Sequence, residues 1–379
     1  MRKDPLVSII ISSYNYGHFL RDAIDSAIAQ TYPTVEVIVV DDGSVDDSPA
    51  VIREYRDRIT PILKENGGQA SAFNAGFAIS SGEVIIFLDS DDMLLPTAVE
   101  KAVACFTNDK MAKVHWPLWK IDASGNKTGD VDPKYPLAEG DLFDEVVQYG
   151  PNHCGGPPYS PNTSGIAWSR KFLEQVFPIP EAGFKTCTDQ YLFVLAPIYG
   201  HLRSVAEPQG YYRVHGSNYS LNPLDEYLKE SLLRFEQSCE IVSNHLKKKG
   251  IIVNPATWAR DTWYHQIHTT IQEITDVVPS QASFILADEG QLGTSHIHAG
   301  RYRIPFIEQN GQYWGPPAND TQAIEEIERQ RTKGSAYIFF AWPTFWWLEH
   351  YSGMYNYLMS NYTCLINNER LVGFKLEKV

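Results

Sequence analysis

Residues 6–15 read Leu6-Val7-Ser8-Ile9-Ile10-Ile11-Ser12-Ser13-Tyr14-Asn15, an almost unbroken apolar segment followed by polar residues. A short continuous apolar run of this kind indicates a strand that is buried on both faces of a sheet. Two similar runs, 35–40 and 83–88, follow after segments in which apolar residues recur at helical spacing. Strands that alternate with helices predict an α/β fold, in which a mostly parallel, Rossmann-like sheet is covered by helices on both faces.

The composition is that of a folded and acidic protein. Of the 379 residues 43% are hydrophobic and 21% are charged, which is too apolar for a disordered chain. The net charge of −14 argues against a nucleic-acid-binding protein, which normally presents a basic face. No apolar run reaches the roughly 18 to 20 residues of a membrane span. The five cysteines are odd in number and form no C-x-x-C pair, which argues against a disulfide framework. We therefore expect a protein of the reducing cytoplasm. Peripheral contact with the inner face of the membrane is left open.

Polar residues follow each of the three apolar runs. In parallel sheets ligands bind beyond the carboxyl ends of the strands. The first run is followed by small hydroxyls and Tyr14, which can hold a nucleobase by hydrogen bonding and stacking. The second is followed by Asp41-Asp42-Gly43-Ser44, whose carboxylates can accept hydrogen bonds from a base or ribose. The third is followed by Asp89-Ser90-Asp91-Asp92, in which Asp89 and Asp91 can face one Mg²⁺ or Mn²⁺ ion.

Each of these patterns also has a purely structural interpretation. Asp-Asp-Gly-Ser is an ordinary turn sequence, the acidic residues 89–92 can cap a helix, and the tyrosines can be packing residues. The occurrence of all three patterns at successive strand ends favours a nucleotide site with a divalent cation.

Four segments together resemble family 2 glycosyltransferases of the GT-A fold, and the resemblance covers about residues 5–220. They are Ser13-Tyr14-Asn15-Tyr16, Val37-Ile38-Val39-Val40-Asp41-Asp42-Gly43-Ser44, Asn66-Gly67-Gly68-Gln69-Ala70-Ser71-Ala72-Phe73-Asn74-Ala75-Gly76 and Phe87-Leu88-Asp89-Ser90-Asp91-Asp92. The resemblance implies inverting transfer of a sugar from a nucleoside-diphosphate sugar to a saccharide or lipid-linked acceptor, with Mn²⁺ or Mg²⁺ as cofactor. It implies the following nucleotide-binding residues: Ser12, Tyr14, Asn15, Asp42, Gln69, Asp89 and Ser90.

The resemblance also implies the second half of the site. The segment 185–193 places Asp189 where the family has its catalytic base, although Thr188 stands where the family pattern has Glu. The structural alternative is that Asp189 caps a helix. The segment Tyr212-Arg213-Val214-His215-Gly216-Ser217-Asn218 resembles a family motif. It implies that His215 joins Asp91 and Asp89 at the metal, and that Arg213 pairs with phosphate.

Donor and acceptor contacts are expected from a small-residue segment as well as from Arg213. This segment contains Thr163, Ser164 and Gly165, and the glycine would allow the backbone to approach the ligand closely. The Gln-x-x-Arg-Trp pattern of processive polymerases is absent from 211–218, which favours addition of one sugar per encounter. The whole interpretation requires Asp91 and Asp189 to share one site.

The sequence predicts three parts. They are a glycosyltransferase domain over 1–220, a helical linker or dimerisation helix over 221–255, and a smaller α/β domain of unassigned role over 256–379. The predicted helix 223–249 carries a heptad seam, which either packs on its own chain or forms a homodimer. Its seam residues are Leu228, Leu232, Phe235, Cys239, Val242 and Leu246. In the last part, Trp342, Trp346 and Trp347 either pack in a core or stack on sugar rings.

Two other functions remain open at this point. A sugar nucleotidyltransferase would use a similar nucleotide site, but it needs a Gly-rich loop with Arg or Lys after the first strand, and residues 12–17 lack one. A non-catalytic carbohydrate-binding protein would use the aromatic residues but has no need of acids at three separate points. We therefore expect a glycosyltransferase, and the family resemblance implies a role in bacterial surface polysaccharide or glycoconjugate synthesis.

Overall fold

The computed structural model describes residues 4–55, 57–151, 160–216, 218, 224–258, 263–292, 297–298 and 300–378. The chain forms two compact units. The first contains residues 1–219 and 234–258, and the second contains residues 220–233 and 259–379.

The first unit is built on two sheets. Its strands are β1 (Val7–Ser13), β2 (Val35–Asp41), β3 (Thr60–Leu63), β4 (Val84–Asp89), β5 (Met93–Leu94), β6 (Met111–His115), β7 (Leu118–Ile121), β8 (Lys127–Asp132), β9 (Ile166–Ser169), β10 (His201–Ser204) and β11 (Gly210–Arg213). Its helices are α1 (Gly17–Ile28), α2 (Ser48–Glu54), α3 (Gln69–Ile79), α4 (Ala98–Cys105), α5 (Phe143–Tyr149), α6 (Arg170–Val176) and α7 (Asp189–Tyr199). A short 3₁₀ helix covers Thr163–Gly165.

The larger sheet has seven strands in the order β10-β6-β9-β4-β1-β2-β3. All neighbours are parallel except β9, which runs antiparallel to both β4 and β6. The predicted α/β class and mostly parallel sheet are therefore confirmed. The apolar residues of β1, from Val7 to Ile11, are fully buried because helices cover both faces of the sheet.

The order of the strands places a crevice at the end of β1. From β1 the chain adds β2 and β3 on one side and then places β4 on the other side. Such a reversal separates the loops that follow neighbouring strands, and ligands bind there. In the parallel register Ser12 lies beside Asp89 and Ser13 lies beside Asp41. The polar residues that the sequence analysis selected therefore meet at one edge.

The smaller sheet brings a distant segment to this edge. Its order is β5-β11-β7-β8, and β11 pairs with β5, which begins directly after Asp92. Because β11 ends at Arg213, both Arg213 and His215 lie against the loop 89–92.

Helix α8 (Leu224–Lys248) contributes to both units. Four seam residues in its second half are buried within the single chain: Phe235, Cys239, Val242 and Leu246. Gln190 in α7 donates a hydrogen bond to Ser238 Oγ at 3.2 Å, and Tyr199 Oη lies 2.7 Å from His245 Nδ1. These contacts hold α8 against α7. The predicted start of this helix, Asn222-Pro223, lies outside the described residues. None of the helices in the described ranges is long and apolar enough to cross a bilayer.

The second unit is a smaller α/β unit with its own six-stranded sheet. Its strands are β12 (Ser283–Ala287), β13 (Ile297–His298), β14 (Arg301–Pro305), β15 (Glu308–Gln309), β16 (Gln312–Tyr313), β17 (Tyr337–Ala341), β18 (Tyr362–Asn367) and β19 (Leu371–Lys378). Its helices are α9 (Trp263–Val277), α10 (Asp320–Thr332), α11 (Phe345–His350) and α12 (Ser352–Asn361). Six of the strands form a sheet in the order β13-β14-β12-β17-β19-β18. Trp347 is buried in the core, whereas Trp346 is 45% exposed.

Candidate functional site

Carboxylates gather beyond the carboxyl end of β4. Asp89 ends that strand and Asp91 follows it, while Asp189 is the first residue of α7. Asp89 lies within electrostatic reach of both Asp91 and Asp189. The hydroxyl of Thr163 interacts with Asp89, and it also donates a hydrogen bond to Asp189 Oδ2 at 3.1 Å. Burial and the charges of Asp91 and Asp189 raise the pKa of Asp89 to about 8. Asp91 and Asp189 therefore both lie close to Asp89, in one acidic site.

Asp189 accepts hydrogen bonds on both of its oxygens. Its Oδ1 accepts from the backbone N–H of Gln190 at 2.9 Å, and its Oδ2 accepts from Thr163. The N-cap position of α7 is occupied by Thr188, so Asp189 stands one residue inside the helix. Burial raises the pKa of the Asp189 carboxyl above its ordinary value. A carboxylate with a raised pKa is a stronger proton acceptor, which suits a general base.

His215 contacts the second carboxylate of the 89–92 loop. Its Nε2 lies 2.9 Å from Asp91 Oδ2, and its side chain is almost fully buried. The imidazole ring packs against Tyr16 and Phe19, at centroid distances of 5.4 and 5.1 Å. The predicted pairing of Asp91 with His215 in one place thus agrees with the geometry. Within the described ranges, no group of three or more His, Cys, Asp or Glu side chains is arranged to hold a metal ion.

Arg213 has a different position from the one expected. Its guanidinium is 2% exposed and donates to the backbone oxygens of Asp91 (2.8 Å) and Ala123 (3.1 Å) and to Asp22 Oδ2 (2.7 Å). It also lies over the ring of Phe19, 4.7 Å from the centroid. The expectation that Arg213 pairs with a phosphate is corrected, because this buried side chain supports the 91–92 loop from inside the protein.

Asp92 is a structural member of the site that the sequence analysis did not select. It is buried, and it accepts hydrogen bonds from Ser164 Oγ at 2.7 Å and from the backbone N–H of Arg213 at 2.9 Å. Burial and the charges of Asp91 and Asp89 raise the pKa of Asp92 well above its ordinary value. The signal in the sequence is a third aspartate between β4 and the buried Leu94, where a side chain has little access to water.

The small-residue segment is part of the framework around the carboxylates. Ser164 is fully buried; its hydroxyl donates to Asp92 and also accepts from the backbone N–H of Asp89 at 3.2 Å. A Cβ at Gly165 would lie 2.7 Å from both Pro161 Cβ and the backbone oxygen of Trp116. Close packing inside the protein thus explains this glycine, which corrects the expectation that it admits a ligand. Of the three predicted residues, only Thr163 contacts the candidate base.

Asp42, in the loop after β2, holds the loop that follows β3. Its carboxylate accepts from Lys64 Nζ at 2.6 Å and from the backbone N–H groups of Gly67 (3.1 Å) and Gly68 (2.7 Å). These bonds use much of its acceptor capacity. Asp42 therefore shapes the 64–68 loop, and its contact with a base stays a prediction.

The residues after β1 and β4 occupy the same edge with different exposures. Tyr14 is 47% exposed, Ser12 is half-buried and Ser90 is buried. Asn15 has a φ of 58°, and its side-chain oxygen accepts from the backbone N–H of Val45 at 2.8 Å, which closes the loop around it. The exposed ring of Tyr14 is suited to stacking, and the nucleotide contacts of these four residues stay predictions.

Two buried polar atoms at this edge point to a polar ligand or solvent. Ser13 Oγ and Asp41 Oδ1 have no hydrogen-bond partner among the described residues. They belong to residues that lie side by side at the ends of β1 and β2. Buried polar groups are nearly always hydrogen-bonded. The sequence analysis placed Asp41 in a turn motif without a role of its own.

Gln69 connects the two halves of the site. Its side-chain Nε2 donates to Asp89 Oδ1 at 3.1 Å, and its Oε1 accepts from the backbone N–H of Thr188 at 3.0 Å. Its own backbone N–H donates to the carbonyl of Lys185 at 3.0 Å. At the preceding position, a Cβ on Gly68 would lie 2.9 Å from Lys185 Cα. Gln69 thus fixes the start of α7 relative to β4, and its predicted nucleotide contact is untested.

We expect Gln69→Ala to lower the free energy of unfolding by about 1 to 3 kcal/mol, because the first turn of α7 loses its acceptor and Asp89 loses its donor. Urea denaturation followed by circular dichroism measures this difference. Gln148→Ala, at an exposed position in α5, is the matched control and should change stability by less than about 0.5 kcal/mol. Equal stabilities of the two variants would show that Gln69 is not a structural link.

The fold and site together define an α/β protein with an acidic site at the reversal point of a parallel sheet. Residues 8–145 match the sequence model described as Glycosyl transferase family 2. A relative from Nostoc sp. strain PCC 7120, named an uncharacterized glycosyltransferase, is 37% identical over 216 residues, which are 56% of this chain and 66% of the relative. The chondroitin synthase of Pasteurella multocida is 42% identical over 109 residues, 28% of this chain and 11% of the synthase.

Among solved structures, TarS 1–349 from S. aureus in complex with UDP-GlcNAc is similar at 15% identity and a TM-score of 0.46, over 88% of this chain and 93% of that chain. This chain spans less than two thirds of the length of the curated relatives named above. Residues 8–145 thus carry the sequence pattern of glycosyl transferase family 2, and a relative that is similar over 216 residues is named a glycosyltransferase. The predicted resemblance is thereby confirmed over residues 8–145, and the strand order confirms the predicted α/β fold with a mostly parallel sheet.

Proposed function

We propose that this protein transfers one sugar from a nucleoside-diphosphate sugar to a hydroxyl group of a saccharide or lipid-linked acceptor, with inversion at the sugar carbon. The observation that carries the proposal is the convergence of Asp89 and Asp189 on the hydroxyl of Thr163, with Asp91 beside Asp89. A carboxylate for the acceptor thus lies next to carboxylates suited to the donor. Neither alternative function requires this combination.

A divalent cation fits the donor side of the site. Asp91 and His215 offer an oxygen and a nitrogen 2.9 Å apart, and the charge of Asp89 lies within electrostatic reach of Asp91. Mg²⁺ and Mn²⁺ need only one or two carboxylates when substrate phosphates and water fill the other positions. Burial is the main cause of the raised pKa values of Asp89 and Asp92, and the charges of neighbouring carboxylates add to it; such an ion would offset the second contribution. When bound, the cation would stabilise the negative charge of a departing diphosphate.

Asp189 and Thr163 would act on the acceptor side of the transfer. Asp189 would accept the proton of the acceptor hydroxyl, whose oxygen forms the new bond to the sugar carbon while the bond from that carbon to the diphosphate oxygen breaks. Thr163 would hold the Asp189 carboxylate in place through its hydrogen bond to Oδ2. Attack from the side of Asp189 and departure on the other side would invert the configuration.

The biological setting is part of the proposal. Synthesis of a bacterial surface polysaccharide or glycoconjugate fits the names of the glycosyltransferase relatives. A cytoplasmic location, with peripheral membrane contact, fits an acceptor carried on a lipid. A homodimer through 223–249 would need residues other than Phe235, Cys239, Val242 and Leu246, because these are already buried within one chain.

A panel of UDP- and GDP-sugars tests the proposed function. We expect one of them, together with Mn²⁺, to raise the thermal denaturation temperature and to release nucleoside diphosphate slowly in the absence of acceptor. EDTA should abolish both effects. Pyrophosphate release from a nucleoside triphosphate and a sugar 1-phosphate would instead identify a nucleotidyltransferase. Saccharide binding without any nucleotide effect would identify a carbohydrate-binding protein.

A further inference from the structure

A lysine lies buried beneath the candidate base. Lys113 in β6 is 0% exposed, and its Nζ donates a hydrogen bond to Ser160 Oγ at 3.0 Å. The ammonium group lies over the rings of Trp168 and Phe193, 5.9 and 5.2 Å from their centroids. Sequence analysis alone does not single out this position, because Met111-Ala112-Lys113-Val114-His115 indicates only a short strand that contains a lysine.

The neighbours of Lys113 belong to the elements that position Asp189. Trp168 in β9 lies directly opposite Lys113 in the antiparallel register. Phe193 stands four residues after Asp189 in α7, and residues at this spacing share one face of a helix. The carboxylate of Asp189 is within electrostatic reach of the ammonium. Lys113 thus lies in the layer directly below the first turn of α7.

Packing alone does not account for a lysine at this position. Burial lowers the pKa of Lys113 to about 7, against the opposing charge of Asp189. Removal of an ammonium group from water is costly, and a methionine of similar length would fill the space between the two rings without that cost. The polar group therefore calls for a role that depends on its hydrogen bond.

The partner of Lys113 begins the segment that holds the candidate base. Ser160 precedes Thr163 by three residues, and both side chains are buried. The two residues between them are held by packing and a hydrogen bond: Pro161 packs against Gly165, where an added Cβ would lie 2.7 Å from Pro161 Cβ, and Asn162 donates to Asp132 Oδ2 at 3.0 Å. Thr163 Oγ1 then donates to Asp189 Oδ2 at 3.1 Å. One short segment is thus fixed at one end by Lys113 and contacts Asp189 at the other.

We propose that Lys113 is a positioning residue for sugar transfer: through Ser160 it fixes the segment 160–163 so that the hydroxyl of Thr163 orients Asp189. This inference rests on the proposed function. It assigns Lys113 no contact with either substrate. It therefore concerns the rate of the transfer step and leaves the binding of the donor unchanged.

Lys113→Met, Ser160→Ala and the double variant test the proposal in the full-length protein. Each single variant should lower kcat for transfer about tenfold, because the carboxylate loses its fixed orientation, while KM for the nucleotide sugar stays within about twofold. The double variant should lose no more than Lys113→Met alone, because Ser160→Ala then has no link to Lys113 left to break. Lys110→Met, at an exposed position just before β6, is the matched control and should retain full activity.

Several results would overturn the proposal. They are an unchanged kcat in Lys113→Met, losses that multiply in the double variant, or an increase in KM in place of a decrease in kcat. If Lys113→Met does not fold, Ser160→Ala decides alone, since it removes only a hydroxyl from the same link. Absence of turnover in the unchanged protein would remove the proposed function and this inference with it. Activity with no effect of the variants would remove this inference alone.

Discussion

Asp189→Asn is expected to reduce sugar transfer about a thousandfold, because an amide cannot accept the proton of the acceptor hydroxyl. The substitution keeps the size of the side chain. Its amide oxygen can still accept from the backbone N–H of Gln190, while its NH2 group can donate to the hydroxyl of Thr163, which can accept as well as donate. We therefore expect the nucleotide sugar to bind with nearly unchanged affinity. Steady-state kinetics of transfer and calorimetric titration with the nucleotide sugar measure the two quantities separately.

The control for this variant is Glu181→Gln, which removes an exposed carboxylate close by in the sequence, before α7. It should leave both quantities unchanged. Turnover of Asp189→Asn within tenfold of the unchanged protein would reject Asp189 as the base. Loss of donor binding in the same variant would instead place Asp189 on the donor side of the site.

Asp91→Asn is expected to remove the response to metal and to lower kcat/KM by about a hundredfold to a thousandfold. The variant loses a charged oxygen that lies 2.9 Å from His215, and stabilisation of a developing charge at such sites is worth about 3 kcal/mol or more. Titration with Mn²⁺ should raise the thermal denaturation temperature of the unchanged protein in the presence of nucleoside diphosphate. It should have no such effect on the variant.

Asp130→Asn provides the comparison for Asp91→Asn, since Asp130 is exposed in β8 and forms an ion pair with Lys134. Its Mn²⁺ titration should match that of the unchanged protein. An Asp91→Asn variant that retains full metal-dependent turnover would show that another group holds the cation.

Much of the fold follows from local patterns in the sequence. Continuous apolar runs identified β1, β2 and β4, because strands buried on both faces carry no alternation of polar residues. The antiparallel strand β9 could not be derived in this way, since its direction depends on the path of the chain between β8 and β9. The burial of the α8 seam was left open for a related reason. A heptad pattern shows that a face will be covered, but not whether the same chain or a second copy covers it.

The candidate site was only partly predictable. Asp91 lies near Asp89 and His215, because strand ends in a parallel sheet share one edge. The cation that these residues were expected to share stays a prediction. The side-chain direction of Arg213 was not predictable, since it depends on Asp22, 191 residues away in sequence. Lys113 and Asp92 were missed because their roles depend on burial of their charged side chains. Burial is a property of the whole fold and cannot be read from the residue type.

The double contact of Gln69 has a practical consequence for exchanging parts between related enzymes. Residues 68–69 fit against Lys185 and Thr188 so closely that even a methyl group at Gly68 would clash. A chimera that receives α7 and its preceding loop from a relative must therefore also receive residues 66–69. Transplanting either piece alone would bring two non-complementary surfaces into contact.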